Sequence, residues 1–328
     1  MLKISAEIDQ AIEKIIVESR VPQKALINGI LDLSDHYQKT GATTPWEKHA
    51  TTVAYASYFF PLNLVRNMAV IAEAKRIGFF DDVDQLVDFG SGPGTTYFAL
   101  QASDISLSRY HFVETSPQAK NLFAARQSEN KSIHWKERIP ADAFDKKSLF
   151  SCSYSLNELE GTADWLNDCH NLMIIEPSTQ HAGRKLQELR QTLINAGFSI
   201  WAPCTHQLQC PLLLHSNKDW CHNRIHWTQP KWFKKIEDVL PIKNRTLTFS
   251  YLLATKRKPT IYPENTFRLT GDLLKEKGKT RIMACRGENR EFLSWLKKDA
   301  KEIELNRGDL VQVSNFEIKG PELRGGTF

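Results

Sequence analysis

Val87-Asp88-Phe89-Gly90-Ser91-Gly92-Pro93-Gly94-Thr95 is the stretch that decides the fold of this chain. The apolar run before it reads as a buried strand, three glycines follow, and a helix is expected from about Thr95. Glycines at a strand-to-helix turn let backbone approach a ligand closely, and the free N–H groups of the helix start can bind it. The next strand, Tyr110-His111-Phe112-Val113-Glu114, ends in an acid 20 residues after Gly94. A carboxylate at that spacing is placed to accept hydrogen bonds from two ribose hydroxyls.

Short apolar runs separated by helical stretches continue on either side of the loop. Gln85 to Gly90, Tyr110 to Glu114, Ser132 to Trp135, Ser148 to Leu156 and Leu172 to Pro177 read as strands. Helices are expected at about Pro117 to Gln127, near Asp164 to Asn171, and from His181 to Ala196 with Leu186, Leu189 and Leu193 on one face. Strands alternating with helices imply an α/β fold with a parallel, doubly wound Rossmann-like sheet. Residues 1–80 read as a helical region: Ile8, Ile12, Ile15 and Ile16 keep helical spacing, Gly41 to Pro45 is a loop, and Pro61 separates two further helices. The sheet domain is expected over residues 81–258, with a Cys-rich insertion at 201–227 and a last strand at Thr246 to Lys256. Residues 259–328 carry short β-like pieces between Gly and charged turns, the pattern of a small β-barrel-like, oligonucleotide-binding type domain.

The spacing Gly90-x-Gly92-x-Gly94 departs from the G-x-G-x-x-G of nicotinamide-binding folds and is similar to motif I of class I S-adenosylmethionine-dependent methyltransferases. That resemblance implies S-adenosylmethionine held by Asp88, Gly90, Ser91, Gly92, Gly94 and Glu114, with Asp88 orienting the loop and Glu114 holding the ribose. Aminomethylating members of that class carry an Asn or Asp, two prolines and an aromatic residue after strand four. Here the equivalent Ser153-Tyr154-Ser155-Leu156-Asn157-Glu158-Leu159 has no such motif. Glu158 is the one candidate base there, and a helix-capping role suits it better. No catalytic residue is assigned.

Composition sets the outer bounds. Of 328 residues, 41% are hydrophobic and 25% charged, the profile of a soluble globular chain longer than one ordinary domain. No run is long and apolar enough to span a bilayer, and the opening segment lacks the basic and apolar regions of a signal peptide. The net charge of +5 sits wholly in the segment from Lys256 onward, a modest excess that suits nucleic acid and equally a solvated face.

Six cysteines in a large chain without a secretory signal point to reduced thiols or metal ligands rather than disulfides. Cys204, Cys210 and Cys221 lie within 18 residues of one another. Each of the first two adjoins a proline that stiffens a ligand loop. Iron-sulfur clusters and zinc ions usually take four protein ligands, so a fourth is needed, with His206, His222 and Cys285 as candidates. Cys152 and Cys169 sit in apolar contexts and read as plain buried residues.

Together, DFGSGPGT, SYSLNEL, IIEPST, APCTHQLQCP, DWCHNRIHW and the late Cys285 resemble the methyltransferase-like family of small-ribosomal-subunit assembly proteins, best known from mitochondria and with bacterial relatives. The resemblance runs from about Ala50 to Gly308. It implies a four-iron, four-sulfur cluster on Cys204, Cys210, Cys221 and Cys285, and docking on small-subunit ribosomal RNA. Arg224, His226, Lys279, Arg281 and Arg286 are the expected RNA contacts, beside aromatic platforms such as Trp220 and Trp227. The expected chain is a monomeric, ribosome-associated factor of the bacterial-type cytoplasm with no membrane partner. Its function is S-adenosylmethionine binding and iron-sulfur-assisted ribosome assembly or translation, with catalysis optional. The alternatives are an active rRNA methyltransferase, and a small-molecule methyltransferase with structural zinc.

Overall fold

A computed structural model describes residues 1–39, 43–126, 131–156, 164–259, 262–297 and 304–327. Asn157, Glu158 and Leu159 of the strand-four stretch, and Gln127 at the expected helix end, lie outside the described residues. The chain is mixed α/β with a parallel, Rossmann-like sheet, as its alternating pattern implies. Contacts divide it into two units, Met1–Ile174 with His226–Leu247 and Ile175–Ile225 with Thr248–Phe328.

The first unit begins with helices α1 (Ala6–Glu18), α2 (Gln23–Lys39), α3 (His49–Ala54) and α4 (Phe60–Arg76). Ser5 caps α1 by accepting the Ile8 N–H, as an N-terminal serine should. Pro61 does not separate two helices as its sequence position suggests. Between α3 and α4 the backbone runs on through a wide turn, Tyr55–Phe59, in which the Phe60 N–H bonds the Tyr55 carbonyl. Proline has no N–H and its ring crowds the carbonyl four residues back; widening the preceding turn relieves both without breaking the rod.

Strands β1 (Gln85–Phe89), β2 (Arg109–Val113), β3 (Ile133–Lys136), β4 (Ser148–Ser153) and β5 (Asn171–Glu176) follow, in the spatial order β3-β2-β1-β4-β5. β1 is parallel to β2 and to β4, and β2 is parallel to β3. Leu86, Val87, Phe112, Leu149 and Phe150 are wholly buried, because a parallel strand covered on both faces takes a near-continuous apolar run. The order reverses between β2 and β4 on either side of β1, so the carboxyl end of β1 is the switch point where such sheets bind ligands. The glycine loop leaves from that end. It leads into α5 (Thr95–Gln101), and α6 (Pro117–Ala124) follows β2. The helix expected near Asp164 is only a short turn of 3-10 helix, Asp164–Asp168.

The second unit contains α7 (Gln180–Asn195), β6 (Ser199–Ala202), α8 (Pro211–His215) and all but the last residue of β7 (Asn223–His226), so the insertion is more ordered than its lack of period suggests. α9 (Lys231–Asp238) belongs to the first unit; β8 (Thr246–Thr255) then runs antiparallel to β6. On α7 the buried stripe is Ala182, Gly183, Leu186, Gln187, Arg190 and Leu193. Leu189, expected on that stripe, lies at its flank. The tail forms a second sheet from β9 (Thr266–Leu269), β10 (Leu274–Lys275), β11 (Lys279–Arg286), β12 (Asn289–Leu296), β13 (Leu310–Gln312), β14 (Glu317–Lys319) and β15 (Glu322–Arg324). Its order is β13-β9-β11-β12-β15-β14, with β10 beside β11. Phe267, Leu269, Ile282, Ala284, Leu293, Trp295, Val313 and Leu323 form its core. Among the described residues no helix is long and apolar enough to cross a membrane.

Candidate functional site

The first unit carries a cradle at the end of β1. Gly90, Gly92 and Gly94 take φ values of +65°, +51° and +74°, which L side chains resist. The turn is closed by Gly90 N–H and Ser91 N–H donating to Val113 O and by Gly94 N–H donating to Ser91 O at 2.9 Å. A methyl group on Gly90 would stand 2.6 Å from Ser155 Cβ, and one on Gly94 would stand 2.6 Å from Phe123 Cδ2. These two glycines serve close packing. Gly92 differs, because a methyl there meets only the Tyr55 hydroxyl, at 3.8 Å. It is the position where a ligand can approach backbone.

Glu114, at the end of β2, accepts the Gly92 N–H on Oε2 at 2.9 Å and the Ser116 N–H on Oε1 at 2.8 Å. Each carboxylate oxygen has a second acceptor site, so the pair of ribose hydroxyls remains within its capacity. Asp88 is 2% exposed. Its Oδ1 accepts from Thr96 Oγ1 at 3.0 Å, and Thr96 in turn shares a hydrogen bond of 3.0 Å with Ser151. Burial, offset in part by bonds from Ser151 and Thr96, pushes the Asp88 carboxyl up to about 7. Asp88 Oδ2, Ser91 Oγ and Ser155 Oγ are buried without a partner. Orphaned polar atoms are costly. They fit a polar ligand seated against the loop, and the donor set fits S-adenosylmethionine.

The second unit carries the cysteines. One cavity is lined by Cys204, Cys210, Cys221 and Cys285 together with Arg190 and His206. Three elements bring them there: the loop between β6 and α8, the segment before β7, and β11. Gln207 ties the loop back to β6 by accepting the Ile200 N–H and donating to the Ile200 carbonyl, both at 2.7 Å. The buried Arg268 donates Nε–H to the Pro203 carbonyl at 2.7 Å, and Ser250 Oγ donates to the Cys221 carbonyl at 2.8 Å. Pro211 opens α8 directly after Cys210, a position where its missing N–H costs nothing.

Burial and neighbouring sulfurs act on three of the four thiols. Burial raises Cys210, pushes Cys221 up to about 12 and raises Cys285 well above the ordinary thiol value, and in each case neighbouring sulfurs of the set add to the rise. Like charges in one low-dielectric cavity cannot all ionise without a cation. His206 is held down to about 4 by burial and by Arg190, so its ring is neutral, with Nε2 4.0 Å from Cys285 Sγ. Among the described residues, no three or more His, Cys, Asp or Glu side chains stand together as a metal-holding group. The thiols share a cavity without being drawn up as ligands. Cys152 and Cys169 are buried in the first unit.

The basic residues are mostly engaged. Arg224 pairs with Asp272 at 2.8 Å, Arg281 with Glu276 at 2.6 Å, Arg286 with Glu291 at 3.2 Å and Lys279 with Glu322. His226 is exposed and belongs to the first unit. Trp227 is 4% exposed and donates Nε1–H to Asn244 O; it is a core residue, not a stacking platform. Trp220 packs on Gly183 and donates to Ser178 O at 2.6 Å. Arg190 and Arg268 escaped the sequence reading. An arginine between Leu186 and Leu193 at helical spacing was the available signal for the first.

The family profile of the mitochondrial small ribosomal subunit protein Rsm22 matches residues 49–301. The chain belongs to the Rsm22 family. The match takes in both the glycine loop and all four clustered cysteines of this Rsm22 chain. No curated protein matches it. Among solved structures, the 16S rRNA methylase ArmA is similar at 12% identity and a TM-score of 0.35, covering 72% of this chain and 99% of its own. The TYW2 protein of M. jannaschii, solved with AdoMet, aligns at 13% identity and a TM-score of 0.31, covering 57% and 75%. The pyocyanin biosynthetic protein PhzM aligns at 14% and 0.36, covering 69% and 62%. At such low scores the fold assignment rests on the chain's own strand order.

Proposed function

We propose that this Rsm22-family chain binds S-adenosylmethionine on the Gly90 to Gly94 loop, carries a four-iron, four-sulfur cluster on Cys204, Cys210, Cys221 and Cys285, and acts on small-subunit ribosomal RNA during ribosome assembly, without needing catalysis. The observation that carries the reading is the meeting of Cys285 with Cys204, Cys210 and Cys221, 64 or more residues earlier in the chain, around one cavity. A cluster takes four Cys thiolates, and the number present matches. Holding it would fasten β11 to the loop after β6, adding binding energy to folding. At the loop, Glu114 orients the ribose end, Asp88 fixes the turn through Thr96, and Gly92 admits the ligand to backbone. S-adenosylmethionine supplies an electrophilic methyl group when bound.

Anaerobic purification with a visible spectrum and analysis of iron, zinc and acid-labile sulfide tests the proposal. A brown protein with about four irons and four sulfides per chain, lost in Cys204→Ser and Cys285→Ser, is expected. A colourless protein holding one zinc overturns the cluster and favours a structural zinc.

A second reading, an active rRNA methyltransferase, shares the same loop and the same bond of Glu114 to Gly92. Labelled methyl transfer to small-subunit RNA, abolished by Gly92→Leu, is its test. RNA binding that survives Gly92→Leu, with no methylated product from the unaltered chain, removes it.

A further inference from the structure

The cavity wall holds a cation that nothing in the family match assigns. Arg190 is 2% exposed on α7. Its Nε donates to Cys204 Sγ at 3.2 Å and its Nη2 donates to the His206 carbonyl at 2.8 Å. Nη1 is buried with no partner. Among the described residues no carboxylate pairs with it.

A guanidinium out of water costs several kcal/mol unless an anion compensates it. Here the acceptor at hand is the Cys204 sulfur, at 3.2 Å. Arginine suits the place because its planar fork serves two acceptors and leaves a third N–H for another.

We propose that Arg190 is a positioning residue for the iron-sulfur centre: its Nε–H fixes the Cys204 sulfur as a ligand, and its charge offsets the net negative charge of the thiolate-bound cluster. The inference rests on the cluster reading given above. A hydrogen bond to a ligand sulfur and a nearby positive charge both favour the more negative, reduced cluster, so they raise its reduction potential. A guanidinium that merely tethered the loop through His206 O would share no hydrogen bond with a ligand sulfur and would give no nitrogen-15 coupling to the cluster.

The full chain, purified without oxygen after labelling its arginines with nitrogen-15 and then reduced with dithionite, supplies the test. Hyperfine spectroscopy of the reduced cluster is expected to detect a nitrogen-15 coupling and an exchangeable proton, both lost in Arg190→Lys. Potentials are expected to fall in the order unaltered chain, Arg190→Lys, Arg190→Gln. A loaded unaltered chain with no arginine coupling, or variants of unchanged potential, overturns the role of Arg190 and leaves the cluster standing. An unaltered chain without iron or sulfide overturns the cluster itself. The labelling measurement needs no variant, so it decides even where a substitution fails to fold.

Discussion

Glu114 holds the amide of Gly92 across 22 residues of chain, its Oε2 accepting the N–H at 2.9 Å. The same carboxylate ties down Ser116 through its other oxygen. It therefore shapes the loop on which S-adenosylmethionine is proposed to bind. A hydrogen bond to a charged group is worth roughly 1.5 to 3 kcal/mol. Glu114→Gln is expected to weaken S-adenosylmethionine binding by about tenfold or more in a calorimetric titration. Unchanged affinity would remove Glu114 from the site.

The three loop glycines should respond differently to alanine. Gly94→Ala drives a methyl into Phe123 and adds strain at positive φ, for a loss of about 2 to 4 kcal/mol. Gly92→Ala meets only the Tyr55 hydroxyl, at 3.8 Å, and costs only about 1 to 2 kcal/mol of backbone strain, yet its methyl would stand in the way of the proposed ligand. Urea unfolding should single out Gly94→Ala, while ligand titration should detect both.

Asp88 links stability to pH. Its carboxyl is raised from 3.8 to about 7, chiefly by burial. The folded chain keeps a proton that the unfolded chain releases, so this stabilisation is full below about pH 4 and is lost as pH rises through about 7. Asp88→Asn stays neutral and keeps an acceptor for Thr96. Unfolding measured from pH 5 to pH 8 without ligand should show a decline on the order of a few kcal/mol in the unaltered chain and a flatter profile in Asp88→Asn.

Asp272 restrains two arginines, Arg224 at 2.8 Å and Arg307 at 3.3 Å. If the proposed RNA contacts of Arg224 hold, Asp272→Asn should release Arg224, while Arg307 stays on the Thr270 carbonyl, and strengthen binding of small-subunit RNA about two- to fivefold at low salt, the worth of an exposed pair. The dependence of binding on salt should steepen as well. Weaker binding by Asp272→Asn in a filter assay would count against a phosphate contact at Arg224.

How much of this could be read from sequence depends on the range of the interaction. The strand, glycine turn and helix of residues 85–101 were legible because periodicity and glycine are local signals. The acid at Glu114 was legible through its spacing. The continuous rod through Pro61 was not, because it depends on a widened turn at Tyr55–Phe59 that composition does not announce. The buried role of Trp227 and the ion pairs of Arg224, Arg281 and Arg286 were equally hidden. A tryptophan or an arginine carries no mark of what will pack against it.

By itself, then, the sequence determined the parallel-sheet α/β class, the position of the glycine loop and the identities of the thiols. Each follows from residue type and short spacing, which act through local backbone geometry and side-chain chemistry. Only the tertiary structure decided that Cys285 joins Cys204, Cys210 and Cys221 around one cavity, and that Arg190 stands in its wall. Those juxtapositions join a strand to a loop 64 or more residues away along the chain. They are set by how β11, α7 and the loop after β6 pack, which no local pattern specifies.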